Sequence, residues 1–197
     1  MECKVIIWQM ILLCGPSASG KTEVAKLLRL KYGIVKAITH TSRSPRVGEK
    51  DGVDYHFVSK EEFERLLGES CFVEHTFYNG NYYGCSKKEI NDNKCVVVDP
   101  NGLKSFLALE DKSIVTFYLE ASEKTREIRM HIRGDDNKDI ARRIEGDRTD
   151  FAPKEIAPTD FLIETDNRGL EEITDDIYLK YRLSLKSRGL DSIPATK

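Results

Sequence analysis

Residues Gly15-Pro16-Ser17-Ala18-Ser19-Gly20-Lys21-Thr22 have the form G-x-x-x-x-G-K-[ST]. Glycine-rich backbone of this kind turns several N–H groups inward around a phosphate. The lysine reaches the outer phosphates and the threonine hydroxyl sits on Mg²⁺. So few defined positions recur by chance, so the pattern needs a buried strand before it and a helix after it. Val5 to Leu13 is almost wholly apolar, and Glu23-Val24-Ala25-Lys26-Leu27-Leu28-Arg29-Leu30 carries apolar residues at helical spacing. Both conditions are met, so a nucleoside triphosphate with Mg²⁺ is the expected ligand. A plain glycine turn between core elements would leave Lys21 and Thr22 unexplained.

Further residues with chemical potential lie in Thr39 to Glu49 and Asp51 to Phe57. Arg43 and Arg46 flank Pro45. Guanidinium offers paired, fixed donors that suit a phosphate dianion. Taken alone, the pair reads as solvated arginines on a loop. Arg126, Arg129, Arg133, Arg142, Arg143 and Arg148 crowd a later region around the polar stretch Gly134-Asp135-Asp136-Asn137-Lys138. Glu127, Asp135, Asp136, Asp139, Glu145 and Asp147 are interspersed, so a solvated helix face is the competing reading. Cys3, Cys14, Cys71, Cys85 and Cys95 are odd in number and lack C-x-x-C spacing, which predicts free thiols. A zinc site from Cys71, His75, Cys85 and Cys95 fits no usual spacing.

The elements that must hold these residues alternate. Strands are expected over 4–14, 34–39, 53–58, 71–78, 81–83, 95–99, 114–119 and 161–163. Helices are expected over 21–32, 101–109, 122–132, 139–150 and 169–186. Ser59-Lys60-Glu61-Glu62 and Ser86-Lys87-Lys88-Glu89 are capping-box patterns, and Asn79-Gly80 signals a hairpin. Alternation of buried strands and helices predicts an α/β three-layer fold with a central parallel sheet covered on both faces. Residues 37–93 interrupt it as an inserted mixed β/α lobe.

The 197 residues suffice for one domain. Lys+Arg total 31 and Asp+Glu 33, a formal net charge of −2, which argues against nucleic acid or an anionic membrane as main partner. No stretch is long and apolar enough to span a bilayer. The apolar N-terminal run reads as a strand rather than a signal peptide, and the expected location is the cytoplasm.

Beyond these readings, the chain resembles the guanylate kinase family. The resemblance rests on the phosphate loop with Thr39-His40-Thr41-Ser42-Arg43-Ser44-Pro45-Arg46, Gly52-Val53-Asp54-Tyr55-His56-Phe57, Phe72-Val73-Glu74, Asn81-Tyr82-Tyr83-Gly84-Cys85 and Val98-Asp99-Pro100-Asn101-Gly102. These run in order from about residue 5 to 185. The resemblance implies a P-loop fold forming a single domain, with a core of about 1–36, 94–132 and 147–190. A GMP-binding lobe of about 37–93 and a lid of about 133–146 complete it. It implies ATP-dependent phosphorylation of GMP and dGMP, with ATP on residues 15–22 and Mg²⁺ on Thr22 and Asp99. Arg43, Arg46, Tyr55 and Tyr83 would hold the GMP phosphate, with Thr39 and Asp99 nearby, and Glu74 would read guanine. Cys85 stands where the family has a hydroxyl residue donating to guanine O6, and a thiol is a weak donor. Val97 replaces an acid. Asp99 either serves Mg²⁺ or GMP, or is a simple strand-end acid. Arg129-Met130-His131-Ile132-Arg133-Gly134 and Ile140-Ala141-Arg142-Arg143-Ile144 match lid motifs. Lys21, Arg129, Arg133 and Arg143 are therefore the expected catalytic residues. The implied partners are small nucleotides, with no nucleic acid and no membrane, and the implied state is a monomer or homodimer. Rival readings are a non-catalytic guanylate-kinase-like interaction module and a related P-loop kinase for another small phosphate ester.

Overall fold

A computed structural model describes residues 9–45, 48–78, 80–90 and 93–190. The expected strand positions 4–8, and Arg46 of the phosphate-binding set, lie outside the described residues. At the centre is β1 (Met10–Cys14), buried along its whole length. It pairs in parallel with β7 (Lys94–Val98) on one side and β8 (Ile114–Glu120) on the other. The sheet is completed by β2 (Val35–Lys36) and β9 (Phe161–Glu164), in the order β2-β7-β1-β8-β9. Both faces of β1 are covered, which is why its sequence runs apolar without alternation. Ile11 and Leu13 pack into one cluster with Val24 and Leu28 of α1 (Lys21–Tyr32) and Ile173, Ile177 and Tyr181 of α6 (Leu170–Ser187). Met10, Leu12 and Cys14 face a second cluster with Leu103 and Phe106 of α3 (Pro100–Leu107). Burying a side chain such as Leu28 or Phe117 contributes about 1.5–3 kcal/mol.

The insert forms its own four-stranded sheet, ordered β4 (His56–Phe57), β3 (His40–Thr41), β6 (Asn81–Ser86), β5 (Phe72–Tyr78). The hairpin expected at Asn79-Gly80 closes with Tyr78 opposite Asn81. Phe63 of α2 (Lys60–Gly68) stacks between Phe72 and Tyr82, with ring centroids 4.4 and 5.0 Å away. Ser59 caps α2 as its sequence predicts, accepting from Glu62 N–H at 3.1 Å.

Three expectations are corrected. The strand over 34–39 shrinks to Val35–Lys36, because the chain then crosses from core to insert, where the next strand, in the other sheet, begins only at His40. The strand over 53–58 shrinks to His56–Phe57, because Gly52 to Tyr55 closes a turn through Gly52 N–H to Tyr55 O at 2.9 Å. The second capping box opens only a 3₁₀ turn at Lys87–Glu89 with no side-chain cap. Its Glu89 carboxylate is taken by Ile38 N–H at 3.0 Å and Lys94 at 3.4 Å instead.

The remaining helices are α4 (Glu123–Arg133) and α5 (Asn137–Asp150). Ser122 and Asp136 cap them, and Gly134, left-handed at φ 85°, ends α4. This compact break is what lets α5 turn back over the phosphate loop.

Candidate active site

The phosphate loop begins where β1 ends. Gly15 has φ 147°, and a Cβ there would lie 2.2 Å from the Leu119 carbonyl oxygen, so only glycine fits. Gly20 at φ 105° forms the N-cap of α1 without a side chain, leaving the helix's first N–H groups aimed at the loop's interior. Lys21 folds over the loop: its Nζ donates to Gly15 O at 2.5 Å, Pro16 O at 2.7 Å and Ser19 Oγ at 3.4 Å. Burial lowers its pKa to about 8.

Two cavities meet at this lysine. The first, of about 550 Å³, is lined by Gly15, Ser17 and Lys21 from the loop, by Thr39, Arg43, Tyr55, Glu74 and Tyr83 from the insert, and by Asp99. Arg142, Arg143 and Asp147 of α5 close its other side. The second, of about 490 Å³, is lined by Ala18 to Val24 together with Arg129, Arg133, Thr165 and Arg168. Both lie at the carboxyl ends of the parallel strands, where α/β sheets bind ligands.

In the first cavity Glu74 is 8% exposed. Its strand slips register by one residue between Phe72 and Glu74, a bulge that sets Glu74 opposite Cys85. Cys85 N–H then donates to Glu74 Oε1 at 2.8 Å. Desolvation, with Asp99 as a second negative neighbour, raises the Glu74 pKa to about 7. Gly102 gives this carboxyl its room: a Cβ there would lie 3.2 Å from Glu74 Oε2 and 2.9 Å from Val98 Cβ. Arg43 lies over the Tyr55 ring at 5.6 Å and donates through Nη2 to both Glu49 oxygens at 2.9 Å. Tyr55 and Tyr83 meet edge-on at 6.3 Å. Thr39, Arg43, Tyr55, Glu74 and Tyr83 thus line one cavity.

Two members of that set behave differently. The Cys85 thiol is fully buried in the apolar cluster with Val96 and Val98 and is not part of the cavity wall; its backbone N–H, not its side chain, serves the site. This corrects its expected place as a donor to the base. Asp99 caps α3, accepting from Gly102 N–H at 2.7 Å, so one oxygen has a structural task before any ligand is considered. No cluster of three or more His, Cys, Asp or Glu forms a metal cage among the described residues, so the zinc reading of Cys71, His75, Cys85 and Cys95 is not supported. Cys14, Cys71, Cys85 and Cys95 are free thiols.

The arginines separate by environment. Arg129 clamps the loop, donating to Ala18 O at 3.2 Å, Thr165 Oγ1 at 3.1 Å and Thr165 O at 2.7 Å. Arg133 pairs with Asp135 beside the second cavity, and Arg143 lines the first. Arg142 pairs with Asp139 at 2.8 Å, and Arg148 is exposed between Glu123 and Glu145. Arg126 and Asp147, which fit a solvated face in sequence, are buried against each other. Helical spacing carries the missed signal: Arg126 lies four before buried Met130 and Asp147 seven after buried Ile140. Thr165 escapes sequence reasoning altogether, although its hydroxyl ties Ser19 O to Glu120 O at 3.1 and 3.0 Å.

Known proteins are similar to this chain. The Guanylate kinase family model matches residues 8–179. A guanylate kinase of Schizosaccharomyces pombe is 35% identical over 150 residues, 72% of this chain and 74% of its own. One from Anaplasma phagocytophilum is 34% identical over 178 residues, 85% of this chain and 83% of its own. The crystal structure of guanylate kinase from Anaplasma phagocytophilum superposes with a TM-score of 0.65 at 25% identity, covering 94% of this chain and 97% of that one.

Proposed function

The chain belongs to the guanylate kinase family, and from that premise we propose that it transfers the terminal phosphoryl group of ATP to GMP, and to dGMP. The observation that carries this reading is that Lys21 lines both cavities. A donor on the loop and an acceptor in the insert's cavity would meet at one cation.

The acceptor side is read from its donors. Guanine's Watson–Crick edge carries two adjacent donors, N1–H and the 2-amino group. The Glu74 carboxylate has lone pairs for both, even with Oε1 accepting from Cys85 N–H. Adenine has an acceptor at N1 and nothing at C2, so it would leave buried groups unpaired, a difference worth about 10⁴-fold. Arg43, Tyr55 and Tyr83, with Arg46, hold the GMP phosphate, and Thr39 borders the same space. On the donor side residues 15–22 hold ATP: the N–H groups of Gly15, Ala18, Gly20, Lys21 and Thr22 take its phosphates, while Ser17 N–H is held by Asp147 and Ser19 N–H by Pro16 O.

One oxygen of the GMP phosphate attacks the γ-phosphorus in line. The bond from that phosphorus to the β–γ bridging oxygen breaks, and its electron pair leaves with ADP. No protein nucleophile is required. Lys21, Arg129, Arg133 and Arg143 neutralise and align the charge. Residues 133–146 act as a lid that closes α5 over both substrates and excludes water; residues 37–93 form the acceptor lobe, and about 1–36, 94–132 and 147–190 the core. Thr22 hydroxyl and Asp99 carboxylate are hard oxygen donors, and so small a protein ligand set suits Mg²⁺, which keeps most of its shell for water and phosphate. When bound with ATP, Mg²⁺ supplies charge neutralisation at the phosphate oxygens.

The test is a coupled assay of ADP formation with a panel of nucleoside monophosphates. GMP and dGMP should be turned over; AMP, CMP or UMP outpacing GMP would refute the proposal.

A further inference from the structure

Ser17, in the middle of the phosphate loop, has every polar backbone and side-chain atom engaged by one buried ion pair. Asp147 Oδ2 accepts from Ser17 N–H at 2.9 Å, and Oδ1 accepts from Ser17 Oγ–H at 3.1 Å. Arg126 Nη1 bridges Asp147 Oδ2 and Ser17 O, the latter at 3.4 Å. Arg126 and Asp147 are 4% and 7% exposed. Three elements therefore converge on one residue: the loop, α4 through Arg126, and α5 through Asp147.

The pair is a costly way to join two helices. Buried charges repay their desolvation only when every donor is satisfied, and Arg126 Nε is buried without a partner. Two apolar side chains would hold α4 against α5 as well. What they could not do is grip Ser17. Asp147 also lies one helical turn after Arg143, at i, i+4, and one turn before Asp150, at i, i+3, and all three line the acceptor cavity. Docking Asp147 on the loop therefore sets which way this face of α5 points, and so where Arg143 stands.

We propose that Asp147, held by Arg126, is a positioning residue for phosphoryl transfer: it couples the phosphate loop to α5, so that Arg143 is presented to the acceptor site in register with Lys21. This inference rests on the phosphotransferase reading above. Displacements of about 1 Å at such sites cost up to ~10²-fold in rate.

The experiment compares three proteins: wild type, Asp147→Asn, and the double variant Arg126→Leu/Asp147→Ala. Asparagine keeps the shape and can still set an oxygen at the Oδ2 position with its amide donating to Ser17 Oγ, but it removes the charge, so Ser17 N–H and Arg126 are held by a weaker neutral acceptor and Arg126 loses its counter-ion. Its kcat is expected to fall ~10- to 100-fold, with the dissociation constant for GMP, measured by calorimetry, unchanged. The double variant removes both charges and should melt near wild type, yet its kcat should stay low. A stable double variant with wild-type kcat would overturn the proposal, since a merely structural pair would be replaceable. Exchange of the Ser17 amide hydrogen, read by NMR without substrate, should be at least ~10-fold faster in the double variant, where no side chain at 147 accepts from that N–H; unchanged exchange also overturns it. Wild type inactive on GMP would refute the phosphotransferase reading instead, and the exchange measurement would still decide the coupling.

Discussion

Replacing Glu74 with glutamine tests base recognition at one atom. The amide can keep its oxygen toward Cys85 N–H, which lies 2.8 Å from Oε1. Its NH₂ then faces guanine's two donors. Charge-assisted hydrogen bonds contribute about 1.5–3 kcal/mol each, and an unpaired buried donor costs about 1–3 kcal/mol. A net loss of ~4 kcal/mol is ~10³-fold in kcat/KM for GMP at 1.36 kcal/mol per tenfold. The KM for ATP should not move, because Glu74 lines only the acceptor cavity. The fold should gain. The folded pKa of Glu74, about 7, lies above the ordinary 4.5, so the carboxyl costs nothing well below 4.5 and progressively destabilises as pH rises to 7. By linkage, glutamine should then stabilise the protein by on the order of 3 kcal/mol at pH 8 and ~1 kcal/mol at pH 5. Steady-state assays with GMP varied, and melting at both pH values, measure the two effects. A kcat/KM for GMP within ~3-fold of wild type would refute the role of Glu74 as base reader.

The same groups set a pH profile. The kcat/KM for GMP should rise through pH 7 as Glu74 ionises and fall above pH 8 as Lys21, lowered by burial, loses its proton; a flat profile from pH 6 to 9 would contradict both assignments. Lys21→Met should abolish transfer while GMP still binds by calorimetry. Gly102→Ala should destabilise by ~1–3 kcal/mol and raise the KM for GMP, since the new methyl presses on Val98 and Glu74. Cys85→Ala should leave kcat/KM for GMP within ~3-fold of wild type, because only the backbone of residue 85 serves the site.

Much of this protein was legible in its sequence because the signals are local. The loop at 15–22 must follow a strand and open a helix, since its glycines and lysine need a fixed backbone turn, and β1 and α1 stand where that logic puts them. The hairpin at 79–80 and the cap at Ser59 depend on residues within one turn. Tertiary structure decided what local pattern cannot encode. Glu74 owes its raised pKa to a bulge, to burial and to Asp99 across the cavity. Cys85 shares a ladder position with Glu74, yet packing buries its thiol. The charges of α4 and α5 read alike in sequence, but Arg126 and Asp147 became a buried clamp while Arg148 stayed in solvent. Hydrogen bonds and desolvation depend on which elements meet, and Ser17 and Asp147, 130 residues apart, meet only once the sheet has brought the loop under α5.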